Sequence, residues 1–171
     1  MGNYTSGSEA TLPAGTTDLT DHTLDATDLT AVSSNDNSSY VGQLASGEYA
    51  IFMFKDTVTG TSVDITWSGK TDLAPSTSPV QLQVYKVGVG WMNVAGASNN
   101  TANADADFDL TGTLSAASTP TLAQCLDGTT LTCRVYQYYM AIEEFEIVWS
   151  YGCQVYVYPT TTWSYGVPSP N

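Results

Sequence analysis

The chain has 171 residues, of which 42% are hydrophobic and only 12% are charged. A chain of this length can bury enough apolar surface to fold as one domain without a metal or a disulfide bond. Its 17 acidic and 4 basic side chains give a formal net charge of −13, which excludes the basic stripe that nucleic acids require and disfavours anionic membranes. We therefore expect neither nucleic acid nor a membrane among its partners.

The first 38 residues differ in composition from the rest of the chain. They are rich in Thr, Ser, Asp and Asn and contain few large apolar side chains. The leucines Leu19, Leu24 and Leu29 are five residues apart, a spacing that matches neither a helix face nor a strand face. We predict that residues 1–38 form an extended polar arm with at most one short strand, ordered where another surface holds it. The first ten residues lack the charge and the apolar core of a signal peptide, so none is expected.

Residues 39–158 have the pattern of successive β-strands. The segment Glu48–Phe54 is a nearly continuous apolar run, typical of a central strand that is buried on both faces. Three later segments alternate apolar with polar side chains, as strands with one exposed face do: residues 62–67, 80–85 and 131–136. Gly88-Val89-Gly90 predicts a hairpin turn. Gly112 interrupts the apolar face of the strand around Phe108, which indicates a bulge or the close approach of another strand.

The last part of the chain continues this pattern. Residues 141–149 fit either a helix face or a strand face, and we predict a strand because the neighbouring segments are strands. Residues 153–158 alternate as a further strand that Pro159 ends, and residues 159–171 form an aromatic tail. About eight strands separated by turn signals predict an all-β fold, namely an antiparallel β-sandwich of the jelly-roll kind.

The sequence offers little for catalysis. His22 is the single histidine, and it lies in the polar arm without a predicted scaffold around it. Glu144 and Glu146 are two residues apart on one predicted strand, as paired carboxylates of a glycosidase can be, but a solvated strand face explains them equally well. We therefore predict that the protein is not an enzyme.

A group of acidic side chains is the candidate metal site. Asp105, Asp107 and Asp109 are spaced by two residues and supply the oxygen ligands that Ca²⁺ prefers. Leu110 occupies the position where the calcium loop of an EF-hand requires Gly, and ordinary polar strand positions are the alternative interpretation. Calcium is the one cofactor that the sequence suggests.

Aromatic side chains in the second half of the chain are the candidates for a binding surface. Tyr and Trp are enriched at protein interfaces. The candidates for an assembly interface lie on the last strands and the tail: Tyr136, Tyr138, Tyr156, Tyr158, Trp163 and Tyr165. Aromatic rings also stack on sugars, and the candidates for a glycan site are Trp91, Trp163 and Tyr165. The sequence leaves both interpretations open.

Three cysteines leave at least one thiol without an internal partner. Cys125, Cys133 and Cys153 are either three buried thiols or one thiol beside a single disulfide bond. The bond would join Cys133 to Cys125 or to Cys153, and this stays open.

Packing and turn signatures run through residues 40–137. They comprise the buried strand 49–55, Ile65-Thr66-Trp67-Ser68-Gly69, the loop 73–78, the segment 80–85 with Trp91, the segment 107–112 and Cys133-Arg134-Val135-Tyr136-Gln137. In these signatures the chain resembles β-sandwich modules of tailed-phage structural proteins and of other surface-exposed proteins. The resemblance implies an extracellular or virion-surface module without enzymatic activity.

These observations lead to two expectations about function. The first is a structural protein of a virion or another extracellular assembly, as a surface, decoration or fibre subunit. It would self-associate, or join other subunits of the same particle, through its arm, its last strands and its tail. The second is a glycan-binding β-sandwich module, with calcium as a potential aid to binding.

Overall fold

The computed structural model describes residues 3–32, 40–43, 48–138 and, by backbone alone, 150–159. Within these residues the chain forms eleven β-strands and two short helices. The strands are β1 Asn3–Glu9, β2 His22–Thr23, β3 Gly42–Gln43, β4 Tyr49–Thr57, β5 Val63–Lys70, β6 Val80–Lys86, β7 Gly90–Asn99, β8 Phe108–Leu114, β9 Leu126–Asp127, β10 Thr130–Tyr138 and β11 Ser150–Pro159. The helices are α1 Ala26–Ala31 and α2 Leu122–Cys125, and neither is long and apolar enough to cross a membrane.

The strands form two antiparallel sheets that pack face to face. Sheet A has the order β2-β1-β4-β10-β6-β7, with β9 also pairing with β10. Sheet B has the order β3-β11-β5-β8. The predicted all-β antiparallel sandwich is therefore confirmed, while the jelly-roll connectivity stays a prediction.

Strand β4 lies in the middle of sheet A, between β1 and β10. Because successive side chains of a strand point to opposite faces, Phe52 and Phe54 enter the core between the sheets, whereas Ile51 and Met53 lie on the outer face. All four are buried. The prediction of a central strand buried on both faces is confirmed.

The core between the sheets is built from the apolar positions of the alternating segments. In sheet A these include Leu82 on β6 and Val135 on β10, and in sheet B they include Ile65 and Trp67 on β5 and Leu110 on β8. The hairpin predicted at Gly88-Val89-Gly90 joins β6 to β7. Strand β11 ends at Pro159, as predicted. The predicted strand at 141–149 lies outside the described residues.

Gly112 allows a close approach between strands. A Cβ atom on this residue would lie 2.1 Å from Cγ1 of Val94 on β7. The pairing of β8 with β5 runs through Gly112 without a shift in register. Of the two predicted explanations, the close approach is therefore correct and the bulge is not.

The arm contains more secondary structure than the single short strand predicted for it. Strand β1 pairs with β4 along its whole length, from Asn3 opposite Lys55 to Glu9 opposite Tyr49. Asp25 caps the N-terminus of helix α1. Its side chain accepts hydrogen bonds from the backbone N–H groups of the first turn, and these bonds lower the pKa of that carboxyl. Backbone pairing and capping do not require a periodic apolar pattern. For this reason neither β1 nor α1 could be predicted from the spacing of hydrophobic residues.

Candidate functional site: the arm on the outer face of sheet A

The outer face of sheet A is covered by the protein's own N-terminal arm. The sequence predicts that Thr132 and Arg134 of β10 face solvent, and they do lie on the side of the strand opposite the core. However, Thr132 is only 8% exposed and Arg134 only 4%. The arm residues between β1 and β2 pass over this face, so the expectation of a solvated face is wrong here.

Arg134 anchors the arm to the sheet. Its Nη1 donates a hydrogen bond to the carbonyl oxygen of Pro13 at 2.7 Å, and its Nε donates to Oε1 of Gln83 at 2.8 Å. The guanidinium also lies over the rings of Trp91, at 4.2 Å, and Tyr136, at 5.4 Å. Burial lowers the pKa of Arg134 to about 10. Because this value is still well above 7, the side chain is cationic at neutral pH.

Trp91 provides the second anchor. Its Nε1 donates a hydrogen bond to the carbonyl oxygen of Gly15 at 3.2 Å. The ring meets Tyr85 edge to face, with 5.3 Å between the centroids. Two backbone carbonyls of the arm, at Pro13 and Gly15, are thus held by two neighbouring side chains of the sheet. We call these four residues, Pro13, Gly15, Trp91 and Arg134, the arm anchor.

Apolar contacts surround the arm anchor. Leu19 of the arm is buried against Ile51 and Met53 of β4. The backbone N–H of Leu19 donates to Oγ1 of Thr5 at 3.1 Å, which fixes the returning arm against β1. Further along the arm, Leu24 reaches the core between the sheets. The arm therefore contacts both faces of sheet A.

Polar contacts fasten the edges of the arm. Lys55 of β4 forms an ion pair with Asp18, whose other oxygen accepts a hydrogen bond from Asn3. The hydroxyl of Ser8 donates to Glu48 at 2.6 Å. The hydroxyl of Tyr4 donates to Asp56 at 3.0 Å. The exposed ion pair contributes little by itself, and together these contacts join β1 and the returning arm to β4 and its flanks.

The structure brings together two of the six predicted interface aromatics. Tyr136 and Tyr138 both contact Tyr49 of β4, with ring centroids 5.8 and 4.8 Å apart. Tyr138 is 38% exposed. The backbones of Tyr156 and Tyr158 lie on β11 opposite Thr66 and Asp64 of β5, and their side chains are outside the description. Trp163 and Tyr165 lie outside the described residues.

The glycan candidate Trp91 belongs to the arm anchor. Its ring is covered by the Arg134 guanidinium, and its N–H is already bonded to Gly15. Stacking of a sugar on the ring where Arg134 lies would require that contact to open. Trp91 therefore holds the arm in this conformation, and glycan binding stays a prediction.

The candidate calcium ligands Asp105, Asp107 and Asp109 have different neighbours. The backbone N–H of Asp105 donates to the carbonyl oxygen of Thr71, Asp107 accepts a hydrogen bond from Tyr40 at 2.7 Å, and Asp109 lies opposite Ser68. No group of three or more His, Cys, Asp or Glu side chains suited to a metal occurs in the described ranges. Calcium binding stays a prediction.

The other candidate residues are a histidine, two glutamates and the cysteines. His22 lies on the arm with its Nε2 2.7 Å from a carboxylate oxygen of Asp28. Glu144 and Glu146 lie outside the described residues. Cys125 and Cys133 are free thiols buried in the core, and burial raises the pKa of both. No disulfide bond joins these two in the structure, and the side chain of Cys153 is outside the description.

Residue patterns in the sequence did not identify Arg134 as a site residue. It is the single arginine of the chain, and it occupies the middle of a predicted strand. An arginine at such a position, with aromatic residues on the same face, is a signal for a covered rather than a solvated face. The partner carbonyls could not be found in this way, because any residue can supply a backbone carbonyl.

Comparison of the chain with protein-family models, with curated proteins and with solved structures finds no match.

Proposed function

We propose that this protein is a structural subunit of a virion surface or of another extracellular assembly, that it has no enzymatic activity, and that its copies associate by exchanging their N-terminal arms. One observation carries the proposal. The arm supplies strand β1, which pairs with β4 along its whole length, and its following residues cover the outer face of sheet A. It is joined covalently to the sandwich through residues 33–39 alone.

The contacts of the arm are of a kind that a second copy can make. The arm anchor, the Leu19 contact and the pairing of β1 with β4 are all non-covalent and join residues 3–32 to residues 48–138. An arm from a neighbouring subunit therefore finds the same partners. Exchange of an identical segment adds a subunit interface at low cost, because no new contact surface has to be created.

The sandwich without an arm would be exposed in two ways. One edge of β4 would lose its seven paired residues, from Asn3↔Lys55 to Glu9↔Tyr49. The apolar side chains Ile51 and Met53 would also face solvent. Open strand edges and apolar patches associate with other chains. Sheet A therefore needs an arm, and either its own or a neighbour's satisfies it.

The aromatic end of β10 supports a second contact between subunits. Tyr138 is exposed and its ring contacts that of Tyr49 at a tilt of 59°, and rigid aromatic side chains of this kind are typical anchors of interfaces. Tyr156, Tyr158, Trp163 and Tyr165 are proposed to extend this contact. The low content of charged residues, the 25 Thr and 17 Ser, and the resemblance to phage modules support a location outside cells.

The exchange is tested with two variants that each carry one introduced cysteine, in a Cys153→Ser background that retains only the buried native thiols Cys125 and Cys133. Asn3→Cys places a thiol on the arm of one chain, and Lys55→Cys places a thiol directly opposite, on β4 of the other. The two variants are unfolded together, refolded as a mixture and oxidised. Arm exchange predicts a disulfide-linked heterodimer, since paired residues of neighbouring strands are close enough for the bond.

The control mixture combines Asn3→Cys with Val89→Cys. Val89 is 69% exposed at the hairpin between β6 and β7, away from the partner of β1. It should give no heterodimer above background. Light scattering on the unmodified chain supplies the independent readout. A monomer at every concentration, with no heterodimer from the Asn3 and Lys55 pair, contradicts the proposal.

A further inference from the structure

A small cavity lies between the two sheets near the end of β10. About 20 Å³ of it is open to the centre of a water-sized molecule. Its apolar walls include Phe52, Val80 and Val135, and its polar walls include Trp67, Thr71 and Gln137. The cavity, which is partly open to the surface, therefore combines apolar core side chains with side chains that form hydrogen bonds.

Two buried polar atoms on these walls have no protein partner. Trp67 is 2% exposed and Gln137 is 3% exposed. In the described part of the chain, neither Nε1 of Trp67 nor Oε1 of Gln137 has a hydrogen-bond partner. Buried polar groups are nearly always paired, because an unpaired one loses its bonds to water without replacement. A donor and an acceptor that line the same cavity therefore point to a shared ligand.

The orientation of the Gln137 amide is fixed by its other contacts. Its Nε2 donates to the carbonyl oxygen of Leu73 at 2.7 Å and to that of Ser78 at 2.9 Å. Two carbonyl oxygens can be satisfied only by the amide nitrogen, so Oε1 is the atom left as an acceptor. Thr71 supplies a further acceptor, since its Oγ1 donates to Leu73 and keeps its lone pairs.

We propose that a single resident water molecule occupies this cavity. It accepts a hydrogen bond from Nε1 of Trp67 and donates to Oε1 of Gln137 and to Oγ1 of Thr71. Resident waters usually form about three such bonds, and a cavity needs roughly 10–15 Å³ by this measure to hold one. A volume of about 20 Å³ is enough for one water.

The water links the two layers of the sandwich. Trp67 belongs to β5 of sheet B, and Gln137 belongs to β10 of sheet A. Gln137 also holds the loop that precedes β6 through Leu73 and Ser78. The bridge therefore joins β5, β10 and this loop at one end of the core, next to the point where the chain continues beyond residue 138.

The test uses the full chain labelled with ¹⁵N. Water-selected NOE and ROE spectra are recorded for the indole N–H of Trp67, which is assigned by its loss in Trp67→Phe. We expect cross-peaks of opposite sign in the two experiments, the signature of a water that tumbles with the protein. The half-exposed indole of Trp91, already bonded to Gly15, serves as the reference for surface hydration.

A crystal structure supplies the second readout. One solvent peak within hydrogen-bond distance of both Trp67 Nε1 and Gln137 Oε1 is expected. The proposal is overturned if the Trp67 indole shows no such cross-peaks. It is also overturned if the crystal shows no peak at this position, or density too large for one water.

Discussion

The guanidinium carbon of Arg134 lies 4.2 Å from the centre of the Trp91 ring, and both side chains hold backbone carbonyls of the same arm. Among the described residues, no carboxylate forms an ion pair with Arg134. The buried cation is instead stabilised by carbonyl oxygens and by the faces of aromatic rings. Arg134 and the arm therefore depend on each other.

Replacing Arg134 by Ala is expected to loosen the arm. The change removes charge-assisted hydrogen bonds to Pro13 and Gln83 and two contacts with aromatic rings, so the free energy of unfolding should fall by about 2–4 kcal/mol. Urea denaturation measures this loss. Hydrogen exchange of the amides in residues 12–19 should become faster than in the unmodified chain. Exchange in the strands of sheet B should change less.

The matched control for Arg134 is Lys86→Ala, which removes one cation from the end of β6. Lys86 is only partly buried, and a change of less than about 0.5 kcal/mol is expected there. If Arg134→Ala leaves the exchange of the arm amides unchanged, the anchoring role is refuted.

Replacing Gly112 by Ala is expected to destabilise the contact between β7 and β8. The new Cβ would lie 2.1 Å from Cγ1 of Val94 and 3.3 Å from the carbonyl oxygen of Ala95. Overpacking of this kind costs about 1–3 kcal/mol. Thermal and urea denaturation measure it, and Val94→Ala in the same chain should recover part of the loss by removing the clashing methyl group.

Gly15→Ala is the control for Gly112→Ala. A Cβ there would have no neighbour within 4 Å, and its backbone carbonyl would still accept from Trp91. A change within about 0.5 kcal/mol is expected. Equal stability of the two alanine variants would contradict the close approach.

Asp72 should make the protein less stable as the pH rises. Burial, with a smaller contribution from Asp105, raises the pKa of this carboxyl above 3.8, and its Oδ2 has no hydrogen-bond partner in the described chain. The folded state then binds the proton more tightly than the unfolded state. Its stabilising effect is complete below pH 3.8 and disappears as the pH rises through the raised pKa.

Asp72→Asn should therefore raise the free energy of unfolding at pH 7 and flatten its dependence on pH between about 4 and 7. The bond from the backbone N–H of Leu73 to the side-chain oxygen is retained by Asn. Urea denaturation at a series of pH values measures the effect, with the exposed Asp109→Asn as control. A loss of stability at pH 7 would be the wrong sign.

The two core thiols should be inert in the native protein. Cys125 and Cys133 are each 2% exposed, and burial raises the pKa of both, so neither thiolate forms readily near neutral pH. We expect iodoacetamide at pH 8 to leave both unmodified until the protein is unfolded in guanidinium chloride. Mass spectrometry of the digested protein measures this, and rapid native labelling of Cys133 would contradict its placement in the core.

Side-chain alternation predicted most of the sandwich correctly. The burial of Ile65 and Leu82 follows directly from period-two patterns, and that of Phe52 follows from a continuous apolar run. The inward position of Gly112 left two explanations, of which the structure shows the close approach. Such patterns depend on local sequence, which is why β4, β5, β6 and β8 were found.

The arm could not be predicted in the same way. Strand β1 contains Thr5 and Ser6, which are polar yet buried, because its order comes from backbone pairing with a strand about 45 residues away along the chain. The burial of Arg134 was equally hard to predict, because its partner is the carbonyl oxygen of Pro13, which is distant along the chain and adjacent only in the folded structure. Contacts to backbone groups leave almost no signal in residue types.

The position of β4 between β1 and β10 has a consequence for biosynthesis. Residues 3–9 leave the ribosome before β4, whereas residues 130–138 follow it much later. In a nascent chain, β1 can therefore shield one edge of this highly apolar strand while the other neighbour is still missing, in a fold whose long-range pairings form slowly. The arm would then protect the nascent chain against aggregation during translation. Its deletion should lower the yield of soluble protein by more than the lost stability of the folded molecule accounts for.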